Sequence, residues 1–300
     1  MTRVIVAVLA AVVWLKGNLH THTAASDGDS PPAEVAAWYR DRGYDFLVIT
    51  DHDEITTIDA PKGLVLIPGE EVTDRLPKKP LHVNAIGLTK VVAPQKGTTP
   101  VEVLQRNIDA VRAAGGVPLI NHPNFGWAFG ADELLQLRNF TLLEIASGHP
   151  YVNTQGPPSV ESMWDALLTK GRRVYGVAVD DSHHWKKPLG DTDVALPGKA
   201  WVVVRAERDA KSIVAALERG DFYASTGVEL EEVSATRVKV REKNGAHYRI
   251  QFIGDGGRVL QESVGPSASY AMKTERYVRA KVIDSNGRMA WTQPVFNAPQ

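Results

Sequence analysis

The 300-residue chain contains no cysteine, which excludes disulfides, iron–sulfur clusters and thiol nucleophiles and leaves its redox compartment open. It also lacks an excess of either charge. Lysine and arginine total 34 against 35 acidic residues, so no summed positive field draws the molecule onto nucleic-acid phosphates or an anionic membrane. The apolar run in the N-terminal MTRVIVAVLAAVVW covers about eleven residues, too few to span a bilayer. One cation followed by such a run fits a signal peptide, implying export to the periplasm or medium. It equally fits a first strand or lead-in of a cytoplasmic protein. GxSxG, P-loop, Rossmann and EF-hand signatures are absent as well. Any metal must therefore be held by His, Asp and Glu.

What is present is a globular composition, 43% hydrophobic, whose apolar segments are short and regularly interrupted. From residue 17 to about 228, runs such as FLVIT (46–50), LVLI (64–67), VPLI (117–120), LLEI (142–145), VYGVAV (174–179) and WVVV (201–204) alternate with amphipathic segments. Strands followed by crossover helices give this pattern, and apolarity on both faces marks them as buried. Thr99-Pro100-Val101-Glu102 reads as a capping box with proline at the first helical position. Ser30, Ser159 and Asp209 open other helices, which Gly43, Gly171 and Gly220 close. After residue 228 the period changes to two, in RVKVR, HYRIQFIG and RYVRAKVID separated by glycine turns. The expected organisation is a lead-in or signal segment (1–16), an α/β unit (17–228) and a small antiparallel, sandwich-like β domain (229–300).

The histidines are not scattered. Eight of the nine lie between residues 20 and 184. His52 follows FLVIT, Glu70 and Glu71 follow LVLIPG, and His122 follows VPLIN. His149 follows LLEIASG, and Asp181, His183 and His184 follow VYGVAVD. In a parallel barrel the strand C-termini converge on one mouth. Residues i and i+2 of a strand share a face, so His20 and His22 can grip one ion, and Asp181 with His183 repeats the device. A single strand-end histidine is more often structural than ligating, TDHD (50–53) could be a capping turn, and GEE (69–71) could be two solvated acids. Their coincidence at six strand ends argues for a multinuclear site of zinc, manganese or iron.

HTHTAASDGD, ITDHD, PGEEVT, LHVNAIGL, INHP and VDDSHH, in that order, resemble the polymerase and histidinol phosphatase (PHP) family of metal-dependent phosphoesterases. The trailing WVVV and GDFYASTG resemble a branch that includes carbaryl-type ester hydrolases. The resemblance implies a distorted (β/α)7 barrel holding two or three divalent ions. It implies that His20, His22, Glu71 and Asp181 hold one ion and Asp27, His52 and His183 a second, with Glu71 bridging to a third completed by His82 and His122. Glu70 remains an alternative to Glu71, as do Asp180 and His184 to Asp181 and His183.

The implied activity is hydrolysis of a small-molecule phosphate mono- or diester by a metal-bridging hydroxide, with Asp53 or His149 protonating the leaving group. Asn124, Phe125, Trp127 and Trp185 could wall the substrate or simply pack the mouth. A carbamate or carboxylic ester hydrolase using the same centre is the first rival. A non-catalytic, metal-stabilised binding protein is the second.

Overall fold

The computed structural model describes residues 11–188, 190–243 and 245–297. Most of the N-terminal apolar segment, and with it the export reading, lies outside the described residues. Strand β1 (Val13–Asn18) begins inside the segment expected to be a lead-in. It is followed by α1 (Pro32–Asp41), β2 (Phe46–Val48), β3 (Val65–Ile67), β4 (Gly69–Leu76), β5 (Lys79–Ile86), α2 (Pro100–Ala113) and β6 (Val117–Ile120). Then come α3 (Ala131–Gln136), β7 (Leu142–Ser147), α4 (Val160–Thr169), β8 (Tyr175–Val179), β9 (Trp201–Ala206), α5 (Ala210–Arg219) and β10 (Phe222–Ser225). The remaining strands are β11 (Leu230–Val233), β12 (Arg237–Val240), β13 (Tyr248–Gly254), β14 (Arg258–Val264), β15 (Ser267–Ser269), β16 (Tyr277–Asp284), β17 (Met289–Thr292) and β18 (Val295–Phe296).

The fold is mixed α/β, rich in strands and sparing in helices, and its ladders do not close into a (β/α)7 barrel. One sheet runs β14-β13-β16-β17-β10-β9-β1-β2-β3, a second runs β4-β5-β6-β7-β8, and β11-β12-β15 form a third. Two features break the expected strand–helix alternation. Glu70 and Glu71 lie within β4, which pairs with β5 as an antiparallel hairpin, and β9 returns antiparallel to β1. At one end, however, two isolated parallel bridges tie the first sheet to the second, Thr21 to Ser182 and His52 to Glu71. Both bridges lie just beyond β1 and β2, where the histidines cluster. The C-terminal strands pair antiparallel as expected, and β17 joins the first sheet through β10.

Three apolar layers set this frame. Leu15, Val48, Ile67, Leu119, Leu142, Val177 and Val202 fill the space enclosed by the two sheets. There Gly17 permits close packing, since a Cβ would stand 2.3 Å from the Phe46 ring. A second core lies between the β4–β8 sheet and helices α2 to α4, and a third between the outer face of β2, β9 and β10, helix α1 and the C-terminal strands. Thr99 caps α2 by accepting the Glu102 N–H, but the Glu102 carboxylate bonds Thr98, one residue earlier than a reciprocal capping box requires. Among the described residues no helix is long and apolar enough to cross a membrane.

A buried ion network fastens the C-terminal strands to α4. Arg279 of β16, 1% exposed, donates from Nε and Nη2 to both oxygens of Asp165, at 2.8 and 2.7 Å, and reaches Glu161 at 2.9 Å. Tyr277 adds its hydroxyl to Asp165, and the Trp164 ring lies beneath the guanidinium.

Candidate metal centre

The site sits on top of the enclosed core. Extended backbone beyond β1 turns His20 and His22 to the same side, as their spacing predicts, leaving their Nε2 atoms 3.1 Å apart. The following loop folds back on itself because Gly28 has no side chain: a Cβ there would meet the His22 carbonyl oxygen at 2.8 Å. Asp51 ties the loop down, accepting from the Thr23 backbone and hydroxyl and from Ser26. This brings Asp27 against His52 and His183. Asp181 adopts φ 48°, sparsely populated for a residue with a side chain, and its N–H bonds the His20 carbonyl.

Glu71 is the centre of the cluster. Its Oε2 lies 3.4 Å from His20 Nε2, 3.3 Å from His22 Nε2 and 3.2 Å from His52 Nδ1. Its Oε1 lies 2.9 Å from His82 Nδ1 and 3.4 Å from His122 Nε2, and receives the Asn121 amide at 2.6 Å. Asp181 Oδ1 stands 3.3 and 3.4 Å from the same His20 and His22 nitrogens. Asp27 approaches His22 Nδ1, His52 Nε2 and His183 Nε2, each at 3.4 Å.

Many of these separations exceed the usual N–H···O length of about 2.9 Å. They instead match the edge of a tetrahedron of ligands each about 2.05 Å from a shared ion, which is about 3.3 Å. Three groups have ligand atoms all within 4.8 Å of one another: His22, Asp27, His52 and His183; His20, Glu71 and His122; and His20, His22 and Asp181. The nine expected side chains thus come together, although the grouping differs from the expected one. His22 touches two groups, His20 joins Glu71 and His122, and His82 meets Glu71 without completing a group. Buried His22 Nδ1 has no hydrogen-bond partner. Mixed imidazole and carboxylate donors with such spacing fit divalent cations.

The alternatives left open by doubled residues face elsewhere. Glu70 points away and accepts the Val92 N–H, and burial raises its pKa to about 7. Asp180 accepts from Tyr39, Gly198, Lys199 and Ala200. His184 does line the cavity, but it joins none of the three groups.

Electrostatics bind the cluster together in the absence of ions. Burial opposes charge on His20, yet Asp181, Glu71 and Glu144 outweigh it and hold its pKa well above the usual imidazole value. His22 rises to about 9, burial again being overcome by bonds to Asp181 and Glu71. Burial favours protonated Glu71 and Asp181, but the surrounding imidazoles, His20 foremost, hold both well below the carboxylate range. Asp27 falls too, because hydrogen bonds to His183 and His52 exceed the effect of burial.

Glu144 belongs to the site and was not expected. It is fully buried, its Oε1 lies 2.6 Å from His20 Nδ1, and its Oε2 accepts the His122 N–H at 2.9 Å. A carboxylate behind an imidazole fixes the ring's tautomer and aims the other nitrogen at the site. The one signal available was a lone acid inside the apolar LLEI. His183 is oriented similarly, by its Nδ1 and the Asp181 carbonyl at 3.1 Å.

The cavity over the cluster has a volume of about 340 Å³. Phe125, Tyr151 and Val152 form its apolar side, and His149 lines it. Of the two expected proton donors only His149 is there. Asp53 accepts the Thr73 N–H, and Thr73 in turn contacts His52 Nδ1 at 2.5 Å. His149 Nδ1 accepts from the Tyr151 N–H, which leaves the ring proton on Nε2, and burial lowers its pKa to about 4. Asn124 secures the neighbouring loop through the Asn153 and Pro158 carbonyls, and Trp185 packs edge-on against Trp38 and Tyr39. Trp127 is half-exposed away from the cavity.

Comparison with solved structures finds proteins of similar fold. A two-domain protein from Bacteroides vulgatus containing a predicted PHP-like metal-dependent phosphoesterase superposes with a TM-score of 0.50, at 17% identity, over 90% of each chain. An amidohydrolase from Chromobacterium violaceum matches at 16% identity and a TM-score of 0.41, covering 60% of this chain and 92% of its own. A protein from Bifidobacterium adolescentis named as a candidate metal-dependent phosphoesterase matches at 16% and 0.42, with the same coverage. No family model and no curated protein sequence matches the chain. The similarity to PHP-like proteins read from the motifs therefore extends to the fold.

Proposed function

We propose that the chain is a metal-dependent hydrolase of phosphate mono- or diesters, built on a PHP-type distorted barrel held at its mouth by the two isolated bridges. The observation that carries this reading is Glu71, whose two oxygens reach five imidazoles across adjoining groups. His20, His22, Asp181 and Glu71 would hold one ion, and Asp27, His52 and His183 a second. Glu71, His122 and His82 would complete a third. Divalent ions there would acidify water and offset charge on the scissile group.

The chain's own groups do the rest. Glu144 and the Asp181 carbonyl hold the His20 and His183 rings in place before substrate arrives. His149, neutral and protonated on Nε2, donates a hydrogen bond to a substrate oxygen and fixes its orientation, in place of transferring a proton. Phe125, Tyr151 and Val152 receive the apolar part of the leaving group. Strands β11 to β18 form an appended β unit that supports the frame through Arg279 and takes no part in the chemistry.

A panel of bis(p-nitrophenyl) phosphate, p-nitrophenyl phosphate, p-nitrophenyl acetate and an aryl carbamate, run with metal-loaded and chelator-treated protein, tests the assignment. Metal-dependent turnover of a phosphoester is expected. A preference for the carbonyl substrates by orders of magnitude would transfer the function to the ester or carbamate class.

A further inference from the structure

A second cavity lies outside the sheet, away from the metal centre. Trp14 and Lys16 of β1 point outward while Leu15 between them enters the enclosed core, as strand alternation requires. Lys16 is four residues before His20, about 13 Å along an extended chain. With Trp201 and Val203 of β9 and Tyr223 of β10 these residues line a cavity of about 320 Å³.

The Lys16 ammonium is unusually placed. It sits 4.0 Å from the centre of the Trp201 ring and 4.1 Å from that of Tyr44. Among the described residues its Nζ makes no hydrogen bond and no ion pair. Three acids and Arg241 also line the cavity, and the acids are already engaged: Asp45 by Arg208 and the Lys16 backbone, Glu229 by Lys243 and Arg241, and Glu231 by Lys239. Packed around the same ammonium, the Trp201 indole N–H and the Tyr44 hydroxyl also lack partners. Burial, the largest influence, lowers the Lys16 pKa despite Asp180, Glu229 and Asp45. A half-buried ammonium without a hydrogen-bonding acceptor is costly, and one arriving acceptor would relieve it.

We propose that this cavity binds a small planar organic acid, its carboxylate on Lys16 Nζ and its flat face among Trp14, Trp201 and Tyr223. The aromatic walls select a ring, and the single free ammonium selects one negative charge. The volume falls within the range of small-molecule sites, about 300–1,000 Å³. The site is independent of the metal centre and of the reaction assigned to it.

Calorimetric titration of the full-length, chelator-stripped protein with benzoate, indole-3-carboxylate and neutral benzamide provides the test, with Lys16→Met separating this cavity from the metal centre, whose protonated imidazoles can themselves hold a carboxylate. Saturable binding of at least one acid is expected, with benzamide weaker, and Lys16→Met should reduce the acid's affinity by about tenfold or more. Absence of saturable acid binding, or undiminished binding by a folded Lys16→Met variant, overturns the proposal. If that variant does not fold, the wild-type comparison still decides: equal affinity for acid and amide overturns it.

Discussion

Glu144 and His20 are 124 residues apart in the chain, and their side chains lie 2.6 Å apart, both fully buried. The contact places a carboxylate behind an imidazole whose other nitrogen faces Glu71 and Asp181. Glu144→Gln keeps the shape and removes the charge. Metal affinity should fall by about 10- to 100-fold, read by chelator competition, with the fold retained by circular dichroism. Unchanged affinity would make Glu144 a structural acid only.

The raised imidazole pKa values give the ion-free protein a distinct pH response. A His22 pKa of about 9 in the fold, against about 6.5 unfolded, contributes stability that is complete below pH 6.5 and is lost as the pH rises through 9. His20 acts in the same direction. The depressed Glu71 and Asp181 contribute above the ordinary carboxylate range and lose their effect as the pH falls. Chelator-treated protein should therefore melt at a lower temperature at pH 9 than at pH 6.5. The increment from added metal should grow over that interval, because ligation requires deprotonated imidazoles. Thermal melts with and without ions measure both trends.

His149 offers a neutral donor. Replacing it with alanine should lower kcat by about 10²-fold, the effect of deleting one oriented donor, while metal content stays the same. Because its pKa is lowered to about 4, loss of the side chain should leave any limb of the pH–rate profile near neutrality in place. Disappearance of such a limb in His149→Ala would show that the residue transfers a proton.

Arg279 tests the attachment of the C-terminal strands. Arg279→Met leaves Asp165 buried without its cation, while Glu161 keeps Lys281, at a cost of about 3–5 kcal/mol. Denaturant unfolding should show the loss, and metal content under native conditions should not change.

The sequence exposed the local part of this design. His20 and His22 one residue apart, the caps at Thr99, Ser159 and Asp209, and the acids at strand ends all depend on short-range geometry. The resemblance favours Glu71 over Glu70 and Asp181 over Asp180, but the physical reason lies in the pleat and in the φ of 48° at Asp181, which depend on pairing with distant strands. Glu144 was hidden because LLEI reads as core and its partners come from β1 and β6. The open ladders were hidden for a similar reason: the antiparallel β4–β5 and β1–β9 pairings arise from tertiary contacts, not from any local signal.

Metal stoichiometry of Glu71→Gln beside wild type, measured by mass spectrometry after reloading and desalting, tests the shared centre most directly. Wild type should retain at least two ions per chain, and the variant should lose more than one, because the two Glu71 oxygens reach imidazoles of all three groups. Reloaded wild type that retains no ion, or a folded variant that retains the full complement, would contradict the account.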